Sequence, residues 1–493
     1  MRERPNFVVF VPDQLRADAI GAFGNPHVRT PNIDALAARG TRFTNAYAQN
    51  PICAPSRASI MTGLYPHTTG HRTQTHLVKP WEPNLLRILK ESGYHVTWAG
   101  MRGDLFAPGV TELSVDEHGF AALPTVHPHA GNTPEEWPGG DVWARIFYRG
   151  QVPDDGRTDL DEATIRTAEQ WLSSPPDTPW VLFVPILAPH PPFEVTEPWF
   201  SMYDRETLPA PLEPAETTAG EPAYMEAIRK RYGLDRVTPE LWQEVVATYY
   251  GMVSRMDDHL GRVMAHVDDA DTVTLFFTDH GEYLGDHGLV EKWPTSFHPC
   301  ITRNPLIISG GGLPAGQESS AMVELVDILP TVLEMADISA PHRHFGRSLL
   351  PVLKDPGTEH RAFAFTEGGF TTAERHQLEP GRFPYDLRTQ LASDEPTLVG
   401  KAYAVRDQEW TYVWRLYESP ELYDRVDDPG ERRNLAGLPA HREVEQRMHQ
   451  ALFTWLVETT DTIPSATDPR LPGVELPAPA PAPAPAPAQT EPR

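Results

Sequence analysis

Uninterrupted apolar runs and helical apolar periodicities alternate along the chain up to about residue 355. NFVVFV at 6–11 is continuously apolar, the pattern of a strand buried on both faces. PNIDALAAR predicts a helix over 31–39, with Thr30 as its cap, Pro31 at the first position and Gly40 as its stop. A helix over 84–93 leads into a strand over 94–100, and further buried strands are predicted at 180–188, 272–278 and 305–311. Helical patterns fall between them at 160–174, 241–267 and 324–337. This alternation predicts an α/β fold with a large, mostly parallel sheet sandwiched by helices. The texture then changes. Short alternating strands over 401–424 suit a small antiparallel sheet, and 442–459 reads as a closing helix. The expected organisation is an α/β domain over 1–355, a C-terminal α+β subdomain over 356–465, and a Pro/Ala-rich disordered tail over 466–493. Segments 120–158, 200–238 and 368–398 are rich in Pro, Gly and charge and read as loops over one rim of the sheet.

Composition narrows the function. The chain has 493 residues, 40% of them hydrophobic, enough for a sizeable core. A formal net charge of −26 disfavours nucleic acid and anionic membrane surfaces as partners. Two cysteines, Cys53 and Cys300, make no disulfide framework. The N-terminal apolar run is short and cut by Pro12, so it reads as a strand and not a signal peptide, and no run approaches a membrane span. The expected location is the cytoplasm.

In open parallel sheets ligands bind beyond the carboxyl ends of the strands. The predicted strands deliver polar groups there: Asp13 and Gln14 after the first, His190 after 180–188, Asp279 and His280 after 272–278, with His287 and Lys292 soon following. Singly these are ordinary turn or surface residues; together they describe a divalent-cation site. Oxygen ligands suit Ca²⁺ or Mg²⁺, and the imidazole keeps Mn²⁺ in play. PICAPSRASIMTG (51–63) adds a lone cysteine at a predicted helix start, where free N–H groups favour an anion. Arg57, four residues on, faces the same side as an oxyanion donor.

CAPSR resembles the signature of the formylglycine-dependent sulfatases of the alkaline phosphatase superfamily, and the surrounding TPNIDALAARGTRFTNAYAQNPICAPSRASIMTGLYP is similar to their N-terminal block. PDQLRAD, PHPPF, YGMVSRMDDHLGRV, FTDHGEYLGDHGLVEKWPTSFHPCITRNPLII and ELYDRVDDPGERRNLA resemble later blocks in order. The resemblance spans roughly 5–460 and implies an alkaline-phosphatase-like fold. It implies that Cys53 is converted to formylglycine by a formylglycine-generating enzyme, and that Asp13, Gln14, the modified Cys53, Asp279 and His280 hold one divalent cation, with Ca²⁺ the expected ion. It implies that Arg57 holds the formylglycine, and that His190 and Lys292 bind the sulfate of a small-molecule ester and assist the leaving oxygen. The aldehyde hydrate offers one hydroxyl to attack sulfur and a second to expel sulfate. The Asp-Gln pair and DHGE also occur in a branch that includes phosphonate monoester hydrolases, which keeps phosphonate monoesters and phosphodiesters as alternative substrates. The chain departs from the family at GMRGDLF, where a lysine is usual; Arg102 is expected to replace it as a sulfate clamp and Asp104 to take the next polar position. That departure also supports a non-catalytic relic with an unmodified cysteine. In PHTTGHRTQTH, His67, His71, Gln74 and His76 are candidate pocket residues, with Gln74 expected at the substrate.

Overall fold

An apolar strand, β1 (Asn6–Val11), runs through the middle of the larger sheet and divides the core in two. Phe7, Val9 and Val11 pack on one face and Val8 and Phe10 on the other, as the period-two geometry of a strand requires. The computed structural model describes residues 4–125, 137, 139–214, 220–379 and 381–461. In chain order β1 is followed by β2 (Gly40–Tyr47), β3 (His95–Ala99), β4 (Glu117–Gly119), β5 (Tyr148–Gln151), β6 (Trp180–Pro185), β7 (Phe193–Val195) and β8 (Thr272–Phe277). Then come β9 (Arg303–Gly310), β10 (Gln317–Glu324), β11 (Ala364–Gly368), β12 (Ala402–Arg406), β13 (Trp410–Arg415) and β14 (Glu421–Asp424).

Eight of these form one sheet in the order β10-β2-β9-β8-β1-β6-β3-β4. β8, β1, β6, β3 and β4 run parallel, so their carboxyl ends share one edge. β9 runs antiparallel to both neighbours, because the segment 278–302 turns the chain back at the edge where β8 ends instead of crossing over to the other edge. The protein is therefore α/β with a large, mostly parallel sheet, and β11 to β14 make a separate four-stranded antiparallel sheet.

One face of the large sheet is covered by the helix Pro239–Met264 through Val245, Tyr249, Val253, Met256 and Leu260. The other carries the helices Leu85–Glu91 and Ile328–Met335, which bury Leu86, Leu89, Leu329 and Val332. The helix Arg442–Thr459 covers the small sheet, with Trp455 stacked on Phe365 at a centroid distance of 4.6 Å. Among the described residues no helix is long and apolar enough to cross a membrane.

Several expectations are corrected. Thr30 does not cap the helix Pro31–Ala38 through its side chain. Asp257 does, accepting the N–H groups of Asn32 at 3.0 Å and Ile33 at 2.7 Å from the neighbouring helix. Helix 324–337 begins later, because β10 extends to Glu324 and a tight turn intervenes before Ile328. The three rim segments are more than loops: they include β5 and the helices Gly140–Arg145, Ala223–Tyr232 and Asp386–Asp394. Parts of the first two, position 380 and the tail 466–493 lie outside the described residues.

Candidate active site

Four strands of the parallel block hand polar groups to the shared edge. β1 leads into Asp13 and Gln14, β8 into Asp279 and His280, β6 into His190 and β3 into Arg102. The helix Cys53–Thr62 points its first residue at the same place. Asp13, Cys53, Asp279 and His280 each offer one ligand atom, and those atoms lie within 4.8 Å of one another, all buried. The Cys53 sulfur is 3.0 Å from His280 Nε2 and 3.7 Å from Asp13 Oδ1. His280 Nδ1 donates to the Gly281 carbonyl oxygen at 2.9 Å, which leaves Nε2 as the lone-pair nitrogen facing the cluster. Asp279 Oδ1 accepts the backbone N–H of Gln14 at 3.2 Å and of His280 at 2.9 Å.

Two buried carboxylates and an imidazole nitrogen beside residue 53 make a donor set that fits one divalent cation, since hard cations take oxygen ligands and tolerate an imidazole. Cations already surround the carboxylates. Arg57 donates from Nε to Asp279 Oδ2 at 2.8 Å and from Nη2 to Asp13 Oδ2 at 3.0 Å. Arg102 Nη2 also donates to Asp13 Oδ2, its Nη1 donates to the Ile186 carbonyl oxygen at 3.0 Å, and Nη2 donates to Asp104 Oδ2 at 2.7 Å. Burial alone would raise the Asp13 carboxyl, but Arg102, His190 and Arg57 hold it well below the usual carboxylate range.

Lys292 enters from the loop after β8. Its Nζ donates to Gln14 Oε1, lies 3.1 Å from His190 Nε2 and 3.3 Å from Glu291 Oε1. His190 Nδ1 donates to the Pro191 carbonyl oxygen at 2.6 Å. Burial, and then the Lys292 ammonium, push His190 down to about 4, so at neutral pH it is an uncharged acceptor toward Lys292.

Asp13, Cys53, Asp279 and His280 thus lie together, Arg57 and Arg102 bond the Asp13 carboxylate, and Lys292 links Gln14 to His190. Gln74 lies beside them in a different part: its Oε1 accepts the Ala54 N–H at 3.0 Å, filling a free donor at the helix start next to Cys53. The neighbouring histidines serve the scaffold. His67 bonds Glu367 and Thr459, His71 bonds the His76 carbonyl oxygen and Glu82, and His76 bonds the Gly70 carbonyl oxygen. The supporting carboxylates Glu282 and Glu291 escaped sequence reading; each sits inside a quoted motif, DHGE or VEKW, but nothing in the spacing says what it touches. Glu291 Oε1 accepts from Tyr385 at 2.9 Å, and Glu282 Oε2 accepts from Gln14 Nε2.

Comparison with known proteins bears on this geometry. Residues 5–338 match the family described as Sulfatase. The multifunctional alkaline phosphatase superfamily protein PehA of Trinickia caryophylli is 30% identical, covering 93% of this chain and 96% of that protein. The uncharacterized sulfatase YidJ of Escherichia coli (strain K12) is 26% identical, covering 93% of this chain and 88% of that protein. The crystal structure of the phosphonate monoester hydrolase of Agrobacterium radiobacter superposes with a TM-score of 0.75 at 25% identity, covering 92% of this chain and 96% of that one.

Proposed function

Because this chain is an enzyme of the sulfatase family, we propose that it cleaves a small-molecule sulfate monoester with a formylglycine made from Cys53. The observation that carries the reading is the convergence of Asp13, Asp279 and His280 on residue 53, with Arg57 beside the carboxylates and Lys292 reaching in from the loop after β8. A formylglycine-generating enzyme is the maturation partner in this reading, and two free cysteines suit the cytoplasm.

Asp13, Gln14, Asp279, His280 and the modified residue 53 would hold one divalent cation, Ca²⁺ on the strength of its oxygen ligands, with Mn²⁺ or Mg²⁺ as alternatives. Such a cation supplies Lewis acidity, and formylglycine hydrate supplies two hydroxyls on one carbon, one to attack sulfur and one to expel sulfate by C–O cleavage. The remaining work belongs to side chains. Arg57 orients residue 53 and its carboxylate neighbours. Arg102 and Lys292 stabilise charge on the sulfuryl oxygens. Lys292 Nζ gives its proton to the departing alcohol oxygen, while neutral His190 holds the ammonium through Nε2.

A second reading uses the same groups on a phosphonate monoester or phosphodiester. Gln14, and the likeness to the Agrobacterium radiobacter hydrolase, favour it. A sulfate monoester and a phosphodiester each carry one negative charge, so charge does not separate them.

Peptide mass spectrometry across Cys53, paired with turnover of matched aryl sulfate, phosphonate and phosphodiester substrates, tests the proposal. The expected result is an aldehyde at residue 53 and the highest kcat/KM on sulfate. An unmodified thiol in a fully active preparation overturns it, and a higher kcat/KM on the phosphorus esters selects the second reading. Asp279→Asn is expected to abolish turnover and cation binding together.

A further inference from the structure

The carboxylate of Glu282 lies one layer behind the proposed cation site, buried, with three donors aimed at it. Oε1 accepts the backbone N–H of Leu284 at 2.9 Å and of Glu291 at 2.6 Å, and Oε2 accepts Gln14 Nε2. The Gln14 amide is also buried, and its other end, Oε1, accepts from Lys292 Nζ. An amide is nearly symmetric in shape and opposite in chemistry at its two ends. An ammonium can only donate and a carboxylate accepts, so both contacts demand the same orientation. Turned by half a rotation, Gln14 would aim N–H groups at the Lys292 ammonium and its oxygen at a carboxylate.

The main chain at Gln14 is held with equal care. Its φ of 63° is left-handed, a conformation rarely kept by a non-glycine residue unless its surroundings impose it. Tyr249 Oη donates to the Gln14 carbonyl oxygen at 2.8 Å, and the Gln14 N–H donates to Asp279 at 3.2 Å.

We propose that Glu282 is a positioning residue that selects the amide orientation of Gln14, so that oxygen and not nitrogen faces the cation. This rests on the reading of Gln14 as a cation ligand. The same carboxylate fixes the backbone immediately before Lys292, and so sets a ligand and the leaving-group donor from one point. Where an aspartate in place of Gln14 would present oxygen at both ends, a glutamine needs an acceptor behind it; Glu282 is that acceptor.

The test is Mn²⁺ binding to the metal-stripped full chain, followed by electron paramagnetic resonance of free Mn²⁺. In Glu282→Gln the two backbone N–H groups keep the oxygen of the new amide. Its NH₂ then meets the NH₂ of Gln14 and turns it over, so Mn²⁺ affinity is expected to fall about 10- to 100-fold. In the reversed pair Gln14→Glu/Glu282→Gln, the amide at 282 donates to a carboxylate at 14 whose other oxygen faces the cation. Most of the lost affinity is expected to return. Unchanged affinity in Glu282→Gln, or a reversed pair that binds no better than Glu282→Gln, overturns the inference. Gln14→Ala and Asp279→Asn separate the two layers of the argument. If neither weakens Mn²⁺ binding, the ligand reading fails and takes this inference with it. If both weaken it and Glu282→Gln does not, only the inference fails. Should Glu282→Gln alone not fold, the reversed pair decides: it must fold and bind.

Discussion

Lys292 Nζ lies 3.1 Å from His190 Nε2, while the other ring nitrogen of His190 is committed to the Pro191 carbonyl oxygen 2.6 Å away. A lone pair therefore faces the ammonium, and one proton lies between the two nitrogens. Lys292 is its owner at neutral pH, because burial and the ammonium push His190 down to about 4. Lys292→Ala is expected to lower kcat by about 10²–10⁴ for alkyl sulfates. The loss should shrink as the alcohol becomes a better leaving group. A leaving-group series measures this; a loss of equal size across the series would show that Lys292 binds sulfate and does not protonate.

In the proposed function Arg102 stands where the resemblance implies a lysine, and its guanidinium reaches Asp13, Asp104 and the Ile186 carbonyl oxygen at once. A lysine ammonium is a point charge without that fork. Arg102→Ala is expected to lower kcat/KM by about 10²–10³, and Arg102→Lys to recover only part. Steady-state kinetics on one aryl ester decide; parent-like turnover by the alanine variant would show that the residue holds the loop and nothing more.

Stability should depend on pH through His287, which is far from the cation ligands in role. Burial, then Arg229 and Arg16, push it down to about 4, against about 6.5 in an unfolded chain. Between those values the unfolded chain binds more protons than the folded one, so stability rises with pH across this window and is lost as pH falls from about 6.5 toward 4. His287 also has a φ of 56°, which asparagine tolerates. His287→Asn should flatten the drop in Tm between pH 7 and pH 5, whatever it does to Tm at pH 7. A drop of parental size would contradict the assignment.

The parts legible in the sequence were those where burial or chemistry writes a strong local signal. β1, β3, β6, β8 and β9 are apolar on both faces and read as continuous runs, and the residues just past β1, β3, β6 and β8 read as site groups for that reason. β2 and β10 were missed because GTRFTNAY and QESSAMVE are largely polar strands at one side of the sheet, with an irregular register between them. The helix Ala223–Tyr232 hides within a segment of mixed charge, and only four of its ten residues, Tyr224, Met225, Ile228 and Tyr232, are buried. Asp279 ends a strand at the sheet's edge yet lies wholly buried, bonded to Arg57, so the test uses asparagine, which keeps the side chain's shape. Glu282 and Glu291 were invisible for a simpler reason: their role is to hold other residues, and a partner across 268 positions of chain leaves no trace in local spacing.

The central claim is that the nucleophilic oxygen sits on residue 53 and that release of sulfate needs a second oxygen on the same carbon. Cys53→Ser keeps an oxygen nucleophile beside Arg57 and removes the second hydroxyl. The direct measurement is a single-turnover assay of this variant with an aryl sulfate, with alcohol release followed by absorbance and the peptide around residue 53 weighed afterwards. The account predicts one equivalent of alcohol per enzyme and a stable sulfuryl adduct on residue 53. Sustained turnover without an adduct would contradict it.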